Sequence, residues 1–460
     1  MTTMLPTPPG ALPLIGHGHR LLFDPLAFMQ ECNELGPVVR LRGPGPDVHL
    51  VTAPELIHQI FVTDTRHYAK GRLTDSIGAQ FGPSVVMDLD VDGLTLFEAH
   101  RRHRRAVQPG FHPHRIADHV HHVQQLTAEL IAGWRPGQVV RADQQLSRLA
   151  YAATARAFCG PGPTTPPIAE ALADLSPTVT MGLFWRIALP RLGRLRGVPG
   201  TGPFQRAHKR LRKAVIHALD AHRTEDRDHG DVLSHLIRAR YNDTGEPLND
   251  HQIVSETVFY LFAAVHAIAD ALPHALYEIA RHPHIARHLR DEVDTVLAGE
   301  PVRTEHLPQL TYTRRLLLEV LRLHPPVWML PRRTLAPVQV GDVALPAGSE
   351  IAVSPYAVHH HPGVHAEPSR FDPDRWLPEQ ARALPRAAHL AFGIGPRKCI
   401  GDHLAMTQLI TALATITSHW TLHIQPGHRY RHKPRTFLYP GRMPLICHPT
   451  DTSFGAGRLR

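Results

Sequence analysis

Cys399 has the sequence surroundings that most clearly favour chemistry. It lies in the segment FGIGPRKCIGDHLA, residues 392–405, after a glycine-rich turn and directly before an amphipathic helical pattern. Gly393, Gly395 and Gly401 allow the backbone to approach a flat ligand, and unpaired amides at a helix start stabilise a thiolate. A thiolate binds metals well, but a lone cysteine near a helix start is more often a small buried hydrophobic residue. The segment alone leaves both interpretations open.

Two pairs of charged or hydrogen-bonding residues have helical spacing. Glu319 and Arg322 lie three apart in LLLEVLRLHPP, and His100 and Arg104 lie four apart in EAHRRHRRAVQPGFHP. Each pair therefore shares one helix face. A Glu–Arg pair at this spacing is common on exposed helices, and the other arginines of the second segment are expected to face solvent or an acidic partner. Neither pair identifies a site by itself.

Taken in order along the chain, these segments resemble the cytochrome P450 superfamily. Phe392, Gly395, Arg397, Cys399 and Gly401 fall at the spacing FxxGxRxCxG, which is similar to that family's haem-binding signature. The resemblance extends from PLIGHGH near the start to YPGRMPL near the end. It implies a triangular, mainly helical domain with haem b between a long core helix and the helix that follows the cysteine. DPLAFM, QPGFHP and FDPDRWLPE resemble segments of actinobacterial enzymes that oxidise terpenes.

The resemblance also implies which residues hold the cofactor. Cys399 is expected to ligate the haem iron, and cationic or hydrogen-bonding side chains are expected to bind the two propionates. The implied propionate ligands are His100, Arg104, Arg332 and Arg397. The implied cofactor-binding residues of the cysteine segment are Phe392, Gly393, Arg397, Cys399 and Gly401.

Glu319 and Arg322 match the family's ExxR pair, and Arg375 in FDPDRW matches the third member of its buried charge network. The implied role of these three residues is structural. They are expected to fix the chain that precedes the cysteine loop.

The core helix departs from the family pattern at two positions. The pattern A-G-x-[DE]-T-[TS] falls on residues 263–268, where His266 replaces the acid and Ala267 the threonine. In the family this pair holds water and delivers the protons that oxygen activation needs. Three alternatives follow: His266, with a reference pKa near ~6.5, relays protons itself; a substrate hydroxyl or amide completes the relay; or the protein oxidises poorly.

The implied activity is removal of a hydrogen atom or an electron from a hydrophobic secondary metabolite. Monooxygenation of a terpenoid or similar compound is the leading hypothesis. Because the proton-delivery pair is altered, radical C–C or C–N coupling of aromatic substrates, such as indole-bearing cyclic dipeptides, is an alternative. A non-catalytic haem sensor is a third class. A histidine-rich metal-binding protein is a fourth, and it would contain zinc or nickel instead of iron porphyrin.

By resemblance, substrate contacts come from a loop at about 72–89, the segment 181–196, the core helix near residue 262, and residues 327–330. Their apolar character predicts a largely hydrophobic ligand, although half of them would be ordinary core. The candidates are Phe184, Trp185, Phe262, Trp328, Met329 and Leu330.

Apolar periodicity predicts a mainly α fold with small β-sheets. Three-to-four spacing predicts helices over 114–134, 203–222, 252–282, 284–298, 311–323 and 402–417. Alternating or β-branched stretches predict strands at 38–41, 48–51 and 350–353. The longest helix is apolar on nearly all faces through VFYLFAAVHAIADAL, so it should cross the core.

Composition limits the setting of the protein. With 43% hydrophobic and 20% charged residues the chain should fold. We expect one domain over 1–460, with a proline-rich leader at 1–13 and a flexible tail at 450–460. Prolines interrupt the leader well short of the ~20 apolar residues that a membrane span needs, so no membrane anchor is expected. Four scattered cysteines favour a reducing cytoplasm.

Charge and histidine content suggest partners. The formal net charge of +9 favours an acidic partner, while basic residues are dispersed and no nucleic-acid-binding signature is present. Resemblance to the soluble bacterial branch implies O2 as a substrate, with electrons passing from NAD(P)H through a ferredoxin reductase and a ferredoxin. The 36 histidines raise the question of metal binding, but clusters such as His119, His121 and His122 are interpreted as solvated surface.

Overall fold

Apolar residues at helical spacing fold into α-helices over most of the chain. A computed structural model describes residues 5–43, 45–82, 84, 87–88, 91–179 and 201–450. All six predicted helices are confirmed there, with ends within three residues of those expected. The α-helices of this part are α1 (Gly18–Phe23), α2 (Pro25–Asn33), α3 (Pro54–His58), α4 (Arg72–Phe81), α5 (Leu96–Val107), α6 (Pro113–Ala132), α7 (Ala142–Cys159), α8 (Thr165–Leu175), α9 (Thr201–Glu225), α10 (Val232–Arg238), α11 (Asp250–Arg281), α12 (Pro283–Leu297), α13 (Thr311–Leu323), α14 (Pro355–His359), α15 (Pro378–Ala383) and α16 (Asp402–Thr417).

Helix α11 is the core helix. It begins at a capping box, in which the side chains of Asn249 and Gln252 each accept a hydrogen bond from the other's backbone N–H. Within the described part of the chain it alone is long and apolar enough to cross a membrane, but 82% of its most apolar stretch is buried inside the protein. It packs against α7, α9, α13 and α16. The apolar surface of α11 is therefore covered by other helices.

The strands are short and lie in small sheets. They are β1 (Val38–Leu41), β2 (Val48–Val51), β3 (Tyr68–Ala69), β4 (Val139–Arg141), β5 (Leu330–Thr334), β6 (Val338–Val340), β7 (Val343–Leu345), β8 (Glu350–Val353), β9 (Trp420–Ile424), β10 (Lys433–Pro434), β11 (Leu438–Tyr439) and β12 (Pro444–Pro449). The three predicted strands are confirmed as β1, β2 and β8. The largest sheet has the order β1-β2-β8-β5-β3, in which β2 and β8 are parallel and the other pairs antiparallel.

The remaining sheets have two or three strands each. A three-stranded sheet has the order β4-β12-β9, and two further pairs are formed by β6–β7 and β10–β11. The antiparallel pair β10–β11 is called the C-terminal hairpin below. It places two aromatic residues beside α11.

Two expectations about loops and surfaces need correction. The predicted substrate loop from residue 72 begins as helix α4, which runs to Phe81. His119 is buried, at 7% exposure, because α6 packs against α7 and α16. Of the three clustered histidines, His121 is exposed and His122 is half-buried.

The leader packs on the body of the protein. The carbonyl of Pro6 accepts a hydrogen bond from the N–H of Arg40 in β1, at 2.9 Å, and the carbonyl of Pro8 lies 2.9 Å from Nε2 of His17. Residues 451–460 of the predicted tail lie outside the described residues.

Candidate functional site

The cysteine loop is held by backbone hydrogen bonds and one obligatory glycine. The N–H of Cys399 donates to the carbonyl of Phe392 at 2.8 Å, and that of Lys398 donates to the carbonyl of Gly395 at 3.0 Å. Gly395 has φ +74°, and a Cβ atom there would lie 2.1 Å from the carbonyl oxygen of Phe61. Gly395 is therefore required for close approach to the helical turn that follows α3, in addition to any ligand contact.

The thiol of Cys399 lies just before α16, as the sequence predicts. Its side chain retains exposed surface, yet protein atoms surround it on most sides. Burial raises the pKa of the Cys399 thiol, and a hydrogen bond from the Gly401 backbone N–H opposes that rise. The Gly401 amide therefore favours the thiolate, as expected. Its effect on the pKa of the thiol is smaller than that of burial, so the pKa stays above its ordinary value. A bound cation would be needed to ionise this thiol.

The four predicted propionate ligands lie close enough together to affect one another's ionisation. Burial, with the charges of Arg397, Lys70 and Arg104, lowers the pKa of His100 to about 3. Burial and Arg397 lower the pKa of Arg332 to about 9. Burial and the same arginines also lower the pKa of Lys70 well below its ordinary value. The chain therefore concentrates positive charge at one buried place.

This concentration is only partly neutralised by protein groups. Arg397 Nη1 donates to Asp88 Oδ1 at 2.6 Å, and the backbone N–H of Lys70 donates to Oδ2 at 2.6 Å. Arg332 Nε, Arg397 Nε and Arg397 Nη2 are buried without a hydrogen-bond partner among the described residues. Buried cationic donors are costly when unpaired. The cluster therefore fits a ligand that carries two carboxylates, as haem b does.

Arg104 also supports the cysteine loop directly. Its Nη1 donates to the backbone carbonyl of Lys398 at 2.6 Å, and Nε2 of His100 lies 3.4 Å from the carbonyl of Pro396. Both contacts come from the face of α5 that the four-residue spacing predicts. Helix α5 thus contacts the cysteine loop at Pro396 and Lys398, which are the neighbours of Arg397 and Cys399.

Glu319 lies at the centre of a buried charge network. Arg322 donates from Nε and Nη2 to the two oxygens of Glu319 at 2.8 and 2.7 Å, and both side chains are fully buried. Arg375 Nε and Trp376 Nε1 add contacts at 3.4 and 3.0 Å. Arg322 also donates to the backbone carbonyls of residues 359, 368 and 370. The structure therefore brings the three predicted members together and ties α13 to the chain before the cysteine loop.

His266 lies in an aromatic environment on α11. Its ring stacks on Phe437 of the C-terminal hairpin at 4.4 Å and meets Phe262 and Tyr439 edge-on at 5.1 and 5.6 Å. Burial lowers the pKa of His266 to about 3. The imidazole is therefore neutral near pH 7. The side chain of Ala267 lies outside what the structure describes.

The other substrate-contact candidates are divided between regions. Phe262 stacks on Phe81 at 4.7 Å in the main core. Trp328 and Met329 pack with the N-terminal cluster around Phe28, and Trp328 Nε1 donates to the carbonyl of Arg435 at 2.7 Å. Leu330 packs with the cluster around the largest sheet. Phe184 and Trp185 lie outside the described residues.

Several residues of the site were not found from the sequence. Lys70 and Asp88 join the cation cluster, but each lies in a segment without a recognisable motif. Phe437 and Tyr439 are two residues apart in TFLYPG, a spacing that places both side chains on one face of a strand and could have indicated a shared surface.

Comparison with known proteins agrees with this geometry. Residues 201–447 match the family model described as Cytochrome P450. The chain is 35% identical over 445 residues to a cyclooctat-9-en-7-ol 5-monooxygenase of Streptomyces melanosporofaciens, covering 96% of this chain and 95% of the relative. It is 34% identical to a cyclooctatin synthase of the same organism and 32% identical to a pentalenene oxygenase of Streptomyces avermitilis, with the same coverage.

Solved structures show the same fold. The heme domain of cytochrome P450DA superimposes with a TM-score of 0.84 at 23% identity, covering 97% of this chain and 98% of that one. A retinoic-acid-bound cyanobacterial structure gives a TM-score of 0.85 at 23% identity, with 97% and 100% covered. Together with the family match and the full-length relatives, this shows that the chain belongs to the cytochrome P450 family, whose cofactor is haem b and whose members of this kind are monooxygenases.

Proposed function

We propose that this chain is a terpenoid monooxygenase of bacterial secondary metabolism. The observation that carries the proposal is identity of 32–35% along 96% of the chain to the cyclooctat-9-en-7-ol 5-monooxygenase, the cyclooctatin synthase and the pentalenene oxygenase of Streptomyces. In the proposed reaction one oxygen atom of O2 enters a C–H bond of the substrate. The other leaves as water, with two electrons and two protons supplied.

The residues of this chain have separate tasks in that proposal. Cys399 would hold the haem iron through its thiolate, and haem b, when bound, would supply the oxygen-activating chemistry. His100, Arg104, Arg332 and Arg397 hold the propionates, a role supported by the unpaired guanidinium atoms at this place. Phe392, Gly393 and Gly401 shape the loop around the cofactor. Glu319, Arg322 and Arg375 keep that loop in position.

The aromatic environment of α11 supports an apolar substrate. Phe81, Phe262 and Phe437 form a continuous aromatic surface, with ring centroids 4.7 and 5.7 Å apart in successive pairs. Rings of this kind bury hydrocarbon without requiring hydrogen bonds. Trp328, Met329 and Leu330 are partly exposed and are proposed to complete the substrate boundary, together with Phe184 and Trp185.

His266 is proposed to take over proton delivery. A neutral imidazole has one N–H donor and one acceptor nitrogen, so it can pass on one proton while accepting another. Its low pKa disfavours a persistent imidazolium. Ala267 removes the hydroxyl that the family usually places beside the acid, which leaves His266 as the titratable side chain of this motif.

We further propose that the chain acts as one domain in the cytoplasm and receives electrons from NAD(P)H through a ferredoxin reductase and a ferredoxin. Arg101 and Arg105 are exposed on α5, the helix whose residues His100 and Arg104 contact the cysteine loop. A cationic surface there would attract an acidic ferredoxin. Arg102 is less available, because it donates to Asp243 at 2.7 Å.

Reconstitution tests the proposal. The haem-loaded protein would be mixed with pentalenene, cyclooctat-9-en-7-ol and indole-bearing cyclic dipeptides, and then with NADPH, a reductase and a ferredoxin. We expect a type-I spin shift and an oxygenated product with a terpenoid. If products form only from the dipeptides, and these products have lost two hydrogens without gaining oxygen, the reaction is oxidative coupling and not monooxygenation.

A further inference from the structure

Three histidines meet in the core away from the cation cluster and Cys399. His274 lies on α11, His324 follows α13, and His432 precedes the C-terminal hairpin. One ring nitrogen from each lies within 4.8 Å of the others. The His274 and His324 rings are stacked at 4.4 Å, and the His324 and His432 rings are 5.0 Å apart. Three elements distant in sequence therefore place imidazoles at one point.

The hydrogen bonds of two of these histidines leave the second ring nitrogen of each as an acceptor: Nδ1 of His324, and Nε2 of His274, which lies within hydrogen-bond distance of the Tyr430 hydroxyl. His324 Nε2 donates to Glu278 Oε1 at 2.8 Å, and His274 Nδ1 donates to the backbone carbonyl of Asp270 at 2.5 Å. These partners assign the tautomers. Metal-bound histidines are commonly oriented in this way, with the second nitrogen bonded to a carboxylate or a carbonyl.

The remaining nitrogen of His324 is the second observation that points to a ligand. Its Nδ1 is buried and has no hydrogen-bond partner among the described residues, while the residue is 6% exposed. A buried acceptor without a donor is costly, and a metal ion would satisfy it.

Tyr430 offers a fourth ligand atom. Its hydroxyl lies 2.5 Å from His274 Nε2 and 3.3 Å from His432 Nδ1. In a tetrahedral zinc site with Zn–N bonds of about 2.0–2.1 Å, the ligand atoms are about 3.3 Å apart. To reach that spacing the nitrogens would approach one another by about 1.5 Å at most, while the Tyr430 oxygen and His274 Nε2 would separate by about 0.8 Å. Because the His274 and His324 rings are stacked within 10° of parallel, one of the two rings would also turn, so that both lone pairs meet at the ion. His432 and Tyr430 belong to a connecting segment, where such movement is easiest.

We infer that His274, His324 and His432, with Tyr430 as fourth ligand, form a structural Zn²⁺ site in addition to the haem site. Three imidazoles match the ligand preference of zinc, and the Tyr430 oxygen would complete a four-coordinate shell. The ion ties the C-terminal hairpin to α11 and to the end of α13. That hairpin carries Phe437 and Tyr439, which contact His266 two helical turns from His274. Zinc would therefore hold one wall of the proposed active site.

Metal analysis of the haem-loaded protein tests the inference. The protein would be stripped with a chelator, loaded with Zn²⁺ and dialysed, and its zinc content measured by mass spectrometry. We expect one zinc per chain, a higher thermal midpoint than in the stripped protein, and an X-ray absorption spectrum with three imidazole nitrogens at about 2.0–2.1 Å. Zinc-free protein after loading, or a first shell without imidazole, would overturn the inference.

Variants at the partly exposed ligand separate zinc binding from simple packing. His432→Gln should weaken zinc binding at least about a hundredfold, whereas His432→Cys should retain it, since zinc accepts a thiolate. Tyr430→Phe should weaken it about tenfold. The carbon-monoxide spectrum reports that each variant is folded, independently of the proposed substrate.

His448→Gln is the matched control, because His448 is an exposed histidine whose ring lies 5.0 Å from that of His423. It should leave zinc content and affinity unchanged. Equal loss of zinc in His448→Gln and His432→Gln would mean surface binding only. Unchanged affinity in His432→Gln would likewise exclude the buried site.

Discussion

At the scale of single residues, the protein surrounds Cys399 with groups that tolerate a thiolate only when a cation is present. Burial raises the pKa of this thiol more than the Gly401 amide lowers it. We expect Cys399→Ala to abolish the red-shifted Soret band of the reduced carbon-monoxide complex, because thiolate ligation produces that band. Cys447, which is buried in β12, is the control. Loss of the band in Cys447→Ala instead would refute the assignment.

His266 allows a second test at this scale. If its neutral ring relays protons, His266→Phe should lower product formation and increase peroxide release, while the carbon-monoxide spectrum is unchanged. Phenylalanine preserves the stacking on Phe437 but has no acceptor or donor nitrogen. Product yield and peroxide per NADPH consumed are the measurements. If a substrate hydroxyl supplies the relay, coupling should survive in His266→Phe and fail with substrate analogues that lack the hydroxyl.

The double variant His266→Glu with Ala267→Thr approaches the same question from the other side. It restores the family pair and should raise coupling only if proton supply limits the reaction. Unchanged turnover and peroxide in both variants would show that this stretch only packs the core.

Residues of the site could be predicted from the sequence where their neighbours along the chain form a recognisable pattern, and not where they depend on contacts with distant segments. Cys399, Glu319 and His266 lie in segments in which the spacing of neighbouring residues indicates the role of each residue. Lys70 has no such local pattern, because it reaches the site through contacts with segments distant in sequence, and the spacing of Phe437 and Tyr439 indicates a shared face but not the helix on which that face packs. Sequence periodicity reports the face of one element, whereas these contacts depend on how elements dock.

At the scale of elements, Glu319 links α13 to the chain that leads to Cys399. Because removing one member of a buried ion pair leaves the other charge unpaired, Glu319→Ala should lower the free energy of unfolding by about 3–5 kcal/mol and reduce haem content. Thermal midpoint and the ratio of haem to protein absorbance are the measurements. Glu379→Ala, at an exposed position of α15, should change neither. Normal haem content and midpoint in Glu319→Ala would contradict the structural role.

The elements themselves were largely predictable where they were long or strongly patterned. Helices α13 and α16 begin and end at the expected residues, because apolar residues recur regularly along them. The pairs β3–β5 and β10–β11 were not predicted. Their strands β3, β10 and β11 have two residues each, too few for alternation to be recognised, and they exist through pairing with a partner.

At the scale of the whole molecule, the histidine content has a different meaning from the one that composition suggested. Many of the 36 histidines are buried instead of solvated. Burial lowers the pKa of His266 to about 3 and that of four others to about 4. These four are His119, His360, His365 and His389. In the unfolded chain each would titrate near ~6.5.

These shifts predict acid sensitivity. Between about pH 6.5 and pH 4 the unfolded chain binds protons that the folded protein does not, so each such histidine contributes stability above that range and loses it as the pH falls. The loss is at most ~1.4 kcal/mol per pH unit for each group. Four groups act in the opposite sense: the pKa of His222 is raised by Asp231 against the effect of burial, and the pKa values of Asp270, Glu278 and Glu350 are raised by burial. The five histidines outnumber them.

We therefore expect the thermal midpoint of the haem-loaded protein to fall steeply from pH 6.5 to pH 5 and to change little from pH 7 to pH 8. His266→Phe should make the fall of the midpoint with pH shallower, because the unfolded chain then takes up one proton fewer. The variant removes one group that only the unfolded chain protonates. His448→Gln, which replaces an exposed histidine, should leave the slope as in the wild type. Calorimetry in buffers of different ionisation enthalpy directly measures the number of protons that the chain takes up on unfolding. A midpoint independent of pH in this range would mean that the folded and unfolded chains bind equal numbers of protons, which contradicts the expected acid sensitivity. A slope that His266→Phe leaves unchanged would mean that the folded protein protonates His266 as the unfolded chain does, and the neutral His266 of the proposed relay would have to be abandoned.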